Sequence, residues 1–233
     1  MTGSSDAEAF LVSEWQRLTA AVGAPPDAIH ALLSRHREPQ RHYHTAQHVQ
    51  AVLSHLDVLD PSADPALRLA AFYHDAVYDS PLPPGNESNE ERSAQLAEQE
   101  LADCEAELVE RVASLIRATD GHRLVPLDGA AEFLDADLSI LGAEPRVYDR
   151  YAEQIRKEYA LVTDADYRVG RSLVLRQFLE RDSLFFTPVA QSLWESAARR
   201  NLARELHALG HPPGRNPTDA SSASDVVDEP RTT

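Results

Sequence analysis

The amino-acid sequence predicts an all-α protein with about eight to ten helices around one core. Apolar residues recur at helical spacing through most of the first 210 residues, and no run of similar length alternates as a β-strand does. Proline, glycine and aspartate mark the breaks between these segments. Since 42 % of the 233 residues are hydrophobic, the chain can bury a substantial core.

The elements follow in order from these two signals. Apolar positions at helical spacing predict helices over residues 49–56, 67–77, 108–116, 131–141 and 148–159. From His211 onward the chain contains four prolines and few large apolar side chains, so burial cannot offset its ordering entropy. We therefore predict one helical domain over residues 1–210 and a disordered tail over 211–233.

The charge and the cysteine content exclude several classes of function. The chain has 38 acidic and 22 basic residues, a net charge of −16, which disfavours nucleic-acid polymers and anionic membrane surfaces. No segment approaches the roughly 18 apolar residues of a membrane span, and no secretion signal precedes the domain. The single cysteine, Cys104, forms no intrachain disulfide. These features predict a soluble cytoplasmic protein and leave the oligomeric state open.

Three histidines are concentrated in the segment RHYHTAQH, which opens a predicted helix that runs to about residue 59. At roughly 100° per residue, His44, His48 and His55 lie on one strip at the border of the apolar face of that helix. Such a border suits a metal ligand. It equally suits solvated histidines on a polar helix edge, and the spacing alone does not separate the two interpretations.

The next predicted helix carries a histidine and an aspartate side by side. His74 follows the apolar residues Leu67, Ala70 and Ala71 at helical spacing, which places it on the buried stripe. A lone histidine there is commonly a hydrogen-bonded core residue. The neighbouring Asp75 changes this interpretation, because a buried carboxylate without a partner costs several kcal/mol. A metal ion would be such a partner.

A second candidate carboxylate lies in the helix predicted over residues 131–141. Asp137 falls within the apolar stripe formed with Leu134, Leu138 and Leu141. Asp135 is about 200° away around the helix and is expected to face outward more. Asp137 therefore needs a buried partner, either a metal ion or the polar groups of a helix cap or salt bridge.

Together, His48, His74, Asp75 and Asp137 offer two imidazoles and two carboxylates. This set suits one divalent ion with positions left open for water, and it excludes a thiolate-rich structural zinc site. Manganese fits best, and Co, Ni, Fe, Zn or Mg are also compatible with these ligands.

The order of these residues, a histidine, then His-Asp, then a distant aspartate, resembles the HD superfamily of metal-dependent phosphohydrolases. The resemblance extends over roughly residues 41–209 and is similar to a bacterial subgroup described only as predicted phosphohydrolases. It implies an HD-type helical domain in which His48, His74, Asp75 and Asp137 bind the cation. The segments that carry it, besides the tetrad, are YHTAQH, NEERSA, IRATDGH, FLDADLSILG, YAEQIRKEY and GRSLVLRQFLERD.

The chain also departs from patterns within that superfamily. Members with two metals have two further histidines between the dyad and the last aspartate, whereas this chain has only His122 there. A dinuclear centre, and the oxygenase chemistry of some relatives, is therefore disfavoured. Guanosine tetraphosphate hydrolases have Glu-Asp shortly after the dyad, where this chain has Tyr78-Asp79.

Three further residues are candidates for catalysis. Asp79 could orient the attacking water or be a simple loop acid. Ser88 and Glu91 fit a capping box, which leaves Glu90 free to face a site. His122 follows a helix end and could protonate a leaving oxygen, or be a solvated loop histidine.

Four basic residues are candidates for binding the substrate. His44 and Arg41 belong to the histidine-rich segment, and Arg156 lies on the helix predicted over 148–159. Arg171 shares an apolar face, so it requires an anionic partner, and an internal ion pair is the preferred alternative to a phosphate.

These features predict an enzyme that uses a metal-activated water to hydrolyse a phosphate ester or phosphoanhydride in a small metabolite, with a nucleotide preferred. Two alternatives stay open: an iron-dependent oxygenase on the same scaffold, and a non-catalytic module that senses nucleotides.

Overall fold

The apolar periodicity of the sequence corresponds to ten helices and no strand in residues 2–83 and 85–210, which the computed structural model describes. The predicted tail, 211–233, lies outside these residues. The tenth helix, α10, consists of Pro188–Ala190, a π-helical segment Gln191–Glu195 and Ser196–Gly210, which follow one another without a break. The other nine are α1 (Thr2–Val22), α2 (Ala28–Arg35), α3 (Ala46–Leu59), α4 (Pro65–Tyr73), α5 (Asn89–Glu100), α6 (Ala106–Ala118), α7 (Ala130–Leu138), α8 (Pro145–Glu158) and α9 (Asp164–Leu179). The all-α prediction is confirmed.

Side-chain caps define where several helices begin. The Asp64 carboxylate accepts a hydrogen bond from the Ala66 N–H (2.9 Å) at the start of α4, where Pro65 is the first helical residue. The Ser88 hydroxyl accepts from the Glu91 N–H (3.1 Å) and so caps α5 as predicted. Each such cap contributes about 1 kcal/mol. The Glu91 carboxylate pairs with Arg117.

Buried apolar side chains form two clusters, where the sequence predicted one core. The first cluster is built from α1 to α7 and includes Trp15, Leu53 and Phe72. The second is built from the end of α7 and from α8, α9 and α10, and it includes Tyr148 and Leu175. Helix α7 contributes to both clusters, so it lies along the boundary between them.

The boundary is reinforced where α7 continues into a 3₁₀ turn, Ser139–Gly142. A Cβ at Gly142 would lie 2.4 Å from the Cβ of Trp194, so only glycine allows α10 to approach this closely. The amide of Asn201 donates to the carbonyls of Leu141 and Ala143, both at 2.9 Å. These contacts attach α10 to the end of α7.

The expectation that Asp135 faces outward was wrong. Its side chain is buried and accepts hydrogen bonds from the backbone N–H groups of Phe186 (2.8 Å) and Thr187 (2.7 Å). The segment between α9 and α10 covers this side of α7, and the carboxylate provides acceptors for its N–H groups.

None of the helices in the described part of the chain combines the length and the apolar character that a membrane span requires.

Candidate metal centre and cavity

Helix α3 and the turn after α4 bring two imidazoles and a carboxylate to one point. Helix α4 ends at Tyr73, so His74 is its C-cap and Asp75 follows in the turn, where the sequence predicted that the helix continues. The Nε2 atoms of His48 and His74 are 3.0 Å apart. The Asp75 Oδ2 lies 2.9 Å from the His74 Nε2 and 3.3 Å from the His48 Nε2. The three residues could hold a metal ion.

The last candidate ligand, Asp137, approaches the same point from α7. Its Oδ1 lies 3.1 Å from the His48 Nε2 and 3.5 Å from the His74 Nε2. Its Oδ2 lies 2.8 Å from the Nε2 of His122. One carboxylate oxygen therefore faces the cluster and the other contacts a histidine outside it. We call His48, His74, Asp75 and Asp137 the tetrad.

The separations among the donor atoms of His48, His74 and Asp75 fit ligands around a single cation, and the Asp137 Oδ1 lies within 3.5 Å of both imidazoles. Two donors that are each about 2.1 Å from an ion lie about 3.0 Å apart at a right angle and about 3.4 Å apart at the tetrahedral angle. The imidazole–imidazole and imidazole–carboxylate separations in the tetrad run from 2.9 to 3.5 Å. The nitrogen and oxygen donors are those that a borderline divalent ion prefers.

Charge pairing within the tetrad is strong. Burial lowers the pKa of His74, but the carboxylates of Asp75 and Asp137 raise it well above its ordinary value overall. Burial raises the pKa of each aspartate, but His74 and the other imidazoles lower it well below its usual range. Without a cation, protons on the imidazoles balance the two buried carboxylates. A divalent cation would replace those protons.

Groups outside the tetrad hold it in position. The Nδ1 of His74 lies 3.0 Å from the Ala71 carbonyl, a contact that directs Nε2 towards the cluster. The guanidinium of Arg41 is buried and donates to the carbonyls of Asp75 (2.6 Å), Ala76 (3.0 Å) and His44 (3.2 Å). Arg41 was predicted to bind substrate. The structure instead places it behind the tetrad, where it joins the His-Asp turn to the segment before α3.

A buried carboxylate that the sequence analysis did not identify organises the histidine-rich segment. Glu158, at the end of α8, accepts the backbone N–H groups of His42 (2.7 Å), Tyr43 (2.7 Å) and His44 (3.0 Å). Its other oxygen lies 2.7 Å from the His44 Nδ1. Burial raises the pKa of Glu158, but these hydrogen bonds lower it to about 2. Its place on the apolar stripe of α8, three residues after Ile155, was the available signal.

A cavity of about 600 Å³ opens beside the tetrad, a size typical of sites for small ligands. We call it the main cavity. His44 is in its lining, where it stacks on Tyr78 with ring centres 4.0 Å apart. The chain has seven tyrosines, and five of them line this cavity. They are Tyr43, Tyr78, Tyr151, Tyr159 and Tyr167. Such walls suit a planar ring or another apolar body, while the tetrad supplies the polar end.

Two of the three predicted catalytic residues line the main cavity. Glu90 faces it, and no hydrogen bond or ion pair joins its side chain to another described residue. His122 also lines it and has a φ of 48°, in the left-handed region that few non-glycine residues adopt. Asp79 does not line it, because its Oδ2 is 2.6 Å from Arg92 and its backbone is hydrogen-bonded to Asn89.

The other arginines differ in what they offer a ligand. Arg171 lines the main cavity and pairs with Glu205 (2.8 and 3.0 Å), so the internal ion pair is confirmed. Arg156 donates to Asp164 and to two backbone carbonyls and is not among the residues that line the cavity. Arg181 does line the cavity and was missed, although it continues the stripe of Arg171, Val174 and Phe178 by one more turn.

A second cavity, of about 380 Å³, reaches the tetrad from the other side of Tyr43 and Tyr151. His55 lines this cavity and its Nδ1 lies 2.7 Å from the Ser139 hydroxyl. His55 is thus half-buried and hydrogen-bonded, in contrast to the solvated alternative. Its ring is 5.3 Å from that of Trp194, and His55 is not part of the group that could hold a metal ion.

Comparisons of the chain with protein-family models, with curated proteins and with solved structures found no match.

Proposed function

We propose that this protein is a metal-dependent phosphohydrolase of the HD type, in which the tetrad binds one divalent cation. The main support for this proposal is that His48, His74 and Asp75 converge beside an aromatic cavity large enough for a small metabolite. The motif resemblance in the sequence supports the same activity. The substrate class is a phosphate ester or phosphoanhydride, with a nucleotide preferred because tyrosines line the cavity.

When bound, the cation would supply charge neutralisation for the phosphoryl group and an acidified water, with manganese preferred. The remaining steps belong to side chains of the cavity. His122 lies beside the site, and its contact with the Asp137 Oδ2 (2.8 Å) fixes the direction of its ring. It is therefore the candidate for protonating the leaving oxygen. Glu90 has no protein partner and is the candidate for accepting a proton from water.

The charge of the chain supports a small substrate in the cytoplasm. With a net charge of −16, the protein disfavours nucleic-acid polymers, whereas a single phosphorylated molecule can be neutralised locally by a cation. The single cysteine is consistent with a reducing compartment.

The test is hydrolysis by metal-loaded protein. Protein stripped with a chelator is reloaded in turn with Mn, Co, Ni, Fe, Zn or Mg, and phosphate release is measured on a panel of phosphomonoesters and nucleoside di- and triphosphates. We expect release only with a cation, and more with Mn or Co than with Mg, because two ligands are imidazoles. Asp75→Ala should lose metal and activity together, while Asp103→Ala, an exposed aspartate, should keep both.

Two results would contradict the proposal. A metal-loaded protein that binds a nucleotide tightly but hydrolyses nothing on the panel would favour a sensing module. Two bound irons with substrate-dependent oxygen consumption would favour an oxygenase.

A further inference from the structure

Arg181 is fixed at the edge of the main cavity by two contacts. Its Nη2 donates to the carbonyl of Gly121 (2.6 Å), and its guanidinium carbon lies 4.6 Å from the centre of the Phe178 ring. The side chain is partly buried and lines the same cavity as the tetrad. Its position is thus set by the α6–α7 loop and by α9.

The charge of Arg181 has no anionic partner among the described residues. Its Nη1 is buried without any hydrogen-bond partner, and no carboxylate forms an ion pair with it. Burial and the nearby positive charge of Arg123 both lower its pKa. Arg171, in α9, is by contrast paired with Glu205. The guanidinium is only partly buried, but its Nη1 is enclosed, and in a chain with 38 acidic residues no described carboxylate forms an ion pair with it.

The guanidinium of Arg181 and the four residues of the tetrad line the same cavity, and His122 is the loop residue that links their contacts. The residue after Gly121 is His122, whose Nε2 is 2.8 Å from the Asp137 Oδ2. The His122 ring is also 6.3 Å from the Phe178 ring on which Arg181 stacks. Arg181 therefore contacts the residue next to His122, and His122 contacts Asp137, so a ligand with two anionic groups that lies along this wall of the cavity can meet both positions.

We propose that Arg181 binds a second phosphoryl group, and that the substrate is consequently a phosphoanhydride, a diphosphate or triphosphate, and not a monophosphate ester. This inference rests on the proposed function, because it places the first phosphoryl group at the tetrad. A phosphoryl oxygen supplies the acceptor that the Nη1 of Arg181 lacks, and the planar guanidinium matches the geometry of a phosphate.

The test compares two probes that differ by one phosphoryl group, inorganic pyrophosphate and inorganic phosphate. Their dissociation constants are measured by calorimetry on full-length protein in a fixed excess of Mn²⁺, for the wild type, Arg181→Gln, Arg181→Lys and Arg176→Gln. Arg176 is an exposed arginine in the last turn of α9, shortly before Arg181 in the sequence, and it does not line the cavity, so it is the matched control.

We expect Arg181→Gln to weaken pyrophosphate binding about 10- to 100-fold, as for the loss of a hydrogen bond to a charged group. Phosphate binding should change less than about threefold, Arg181→Lys should fall between, and Arg176→Gln should match the wild type. An equal loss for both probes, or no loss for either, would overturn the assignment. Melting temperatures of the variants establish that each is folded, and Arg181→Lys keeps the test valid if the glutamine variant does not fold.

The inference and the proposed function fail in different ways. If the wild type cleaves phosphomonoesters as efficiently as diphosphates, the role of Arg181 is refuted while the phosphohydrolase survives. If pyrophosphate binds through Arg181 but nothing on the panel is hydrolysed, the phosphohydrolase is refuted while the anion site survives.

Discussion

Replacing Glu158 by glutamine isolates one buried carboxylate that positions the histidine-rich segment. The carboxylate accepts three consecutive backbone N–H groups and contacts the His44 Nδ1, and its side chain is fully buried. Glutamine keeps the size of the side chain. Its amide keeps one oxygen acceptor and replaces the other with a donor, which then faces either N–H groups or the His44 ring.

The loss of folding stability expected for Glu158→Gln follows from the pKa of Glu158. A pKa that falls from 4.5 to about 2 on folding corresponds to about 3 kcal/mol of stability, at about 1.36 kcal/mol per tenfold change in proton affinity. For a chain of this size that loss lowers the melting temperature by about 6–12 °C.

The stabilisation by Glu158 should weaken as the pH falls. Because folding lowers this pKa, the contribution of Glu158 is fully present above its ordinary pKa of 4.5 and is lost as the pH falls towards about 2. The difference in melting temperature between wild type and Glu158→Gln should therefore be largest near neutral pH and shrink in acid. Calorimetric melting at a series of pH values from about 7 down to 3 measures it.

The matched control is Glu153→Gln, which changes an exposed glutamate on the same helix and should melt like the wild type at every pH. If Glu158→Gln melts within about 1 °C of the wild type at neutral pH, the carboxylate does not stabilise the fold through these hydrogen bonds. A large difference that stays constant down to pH 3 would refute the electrostatic origin of the effect.

Three further predictions concern the tetrad and its neighbours. Saturation with a cation at about 100 times its dissociation constant adds roughly 2.7 kcal/mol to the free energy of unfolding, so a chelator should lower the melting temperature by about 5–11 °C. An unchanged melting curve after complete metal removal would exclude the site. Asp137→Ala should abolish metal retention, measured by elemental analysis. Asp135→Ala should keep the metal but lose roughly 1–3 kcal/mol of folding stability, because two buried N–H groups lose their acceptor. The reverse result would contradict the geometry of α7. His122→Ala should lower turnover about 10²- to 10⁴-fold with metal still bound, and wild-type turnover in this variant would remove His122 from the mechanism.

Local periodicity was enough to identify the candidate ligands. The spacing of apolar residues within a single helix was enough to place His74, and likewise Asp137, on a buried face. In the structure the His74 Nε2 and the Asp137 Oδ1 are 3.5 Å apart. The end of α3 at Leu59 and the N-cap of α5 at Ser88 also followed from local signals, because caps and helix phase depend on residues a few positions apart.

The residues that were misjudged depend on contacts between distant parts of the chain. Asp135 is buried by a segment about 50 residues later, which the phase of α7 cannot reveal. Glu158 binds N–H groups more than 100 residues earlier in the sequence. Long arginine side chains are hardest to place. Arg41 reaches three carbonyls behind the tetrad, whereas the buried Nη1 of Arg181 has no hydrogen-bond partner.

The boundary between the two apolar clusters affects how the protein unfolds locally. Three of the tetrad's residues come from helices of the first cluster, or from the turn after one of them, whereas the far wall of the main cavity comes from α8 and α9 in the second. The two clusters can thus behave as separate cooperative units, with the more weakly held one exchanging its amide hydrogens through partial unfolding. A molecule bound across the main cavity contacts both clusters, so the two clusters should then unfold together. Slower amide exchange along α8 and α9 would then report occupancy of a site whose candidate metal ligands lie mostly on the other side of the boundary.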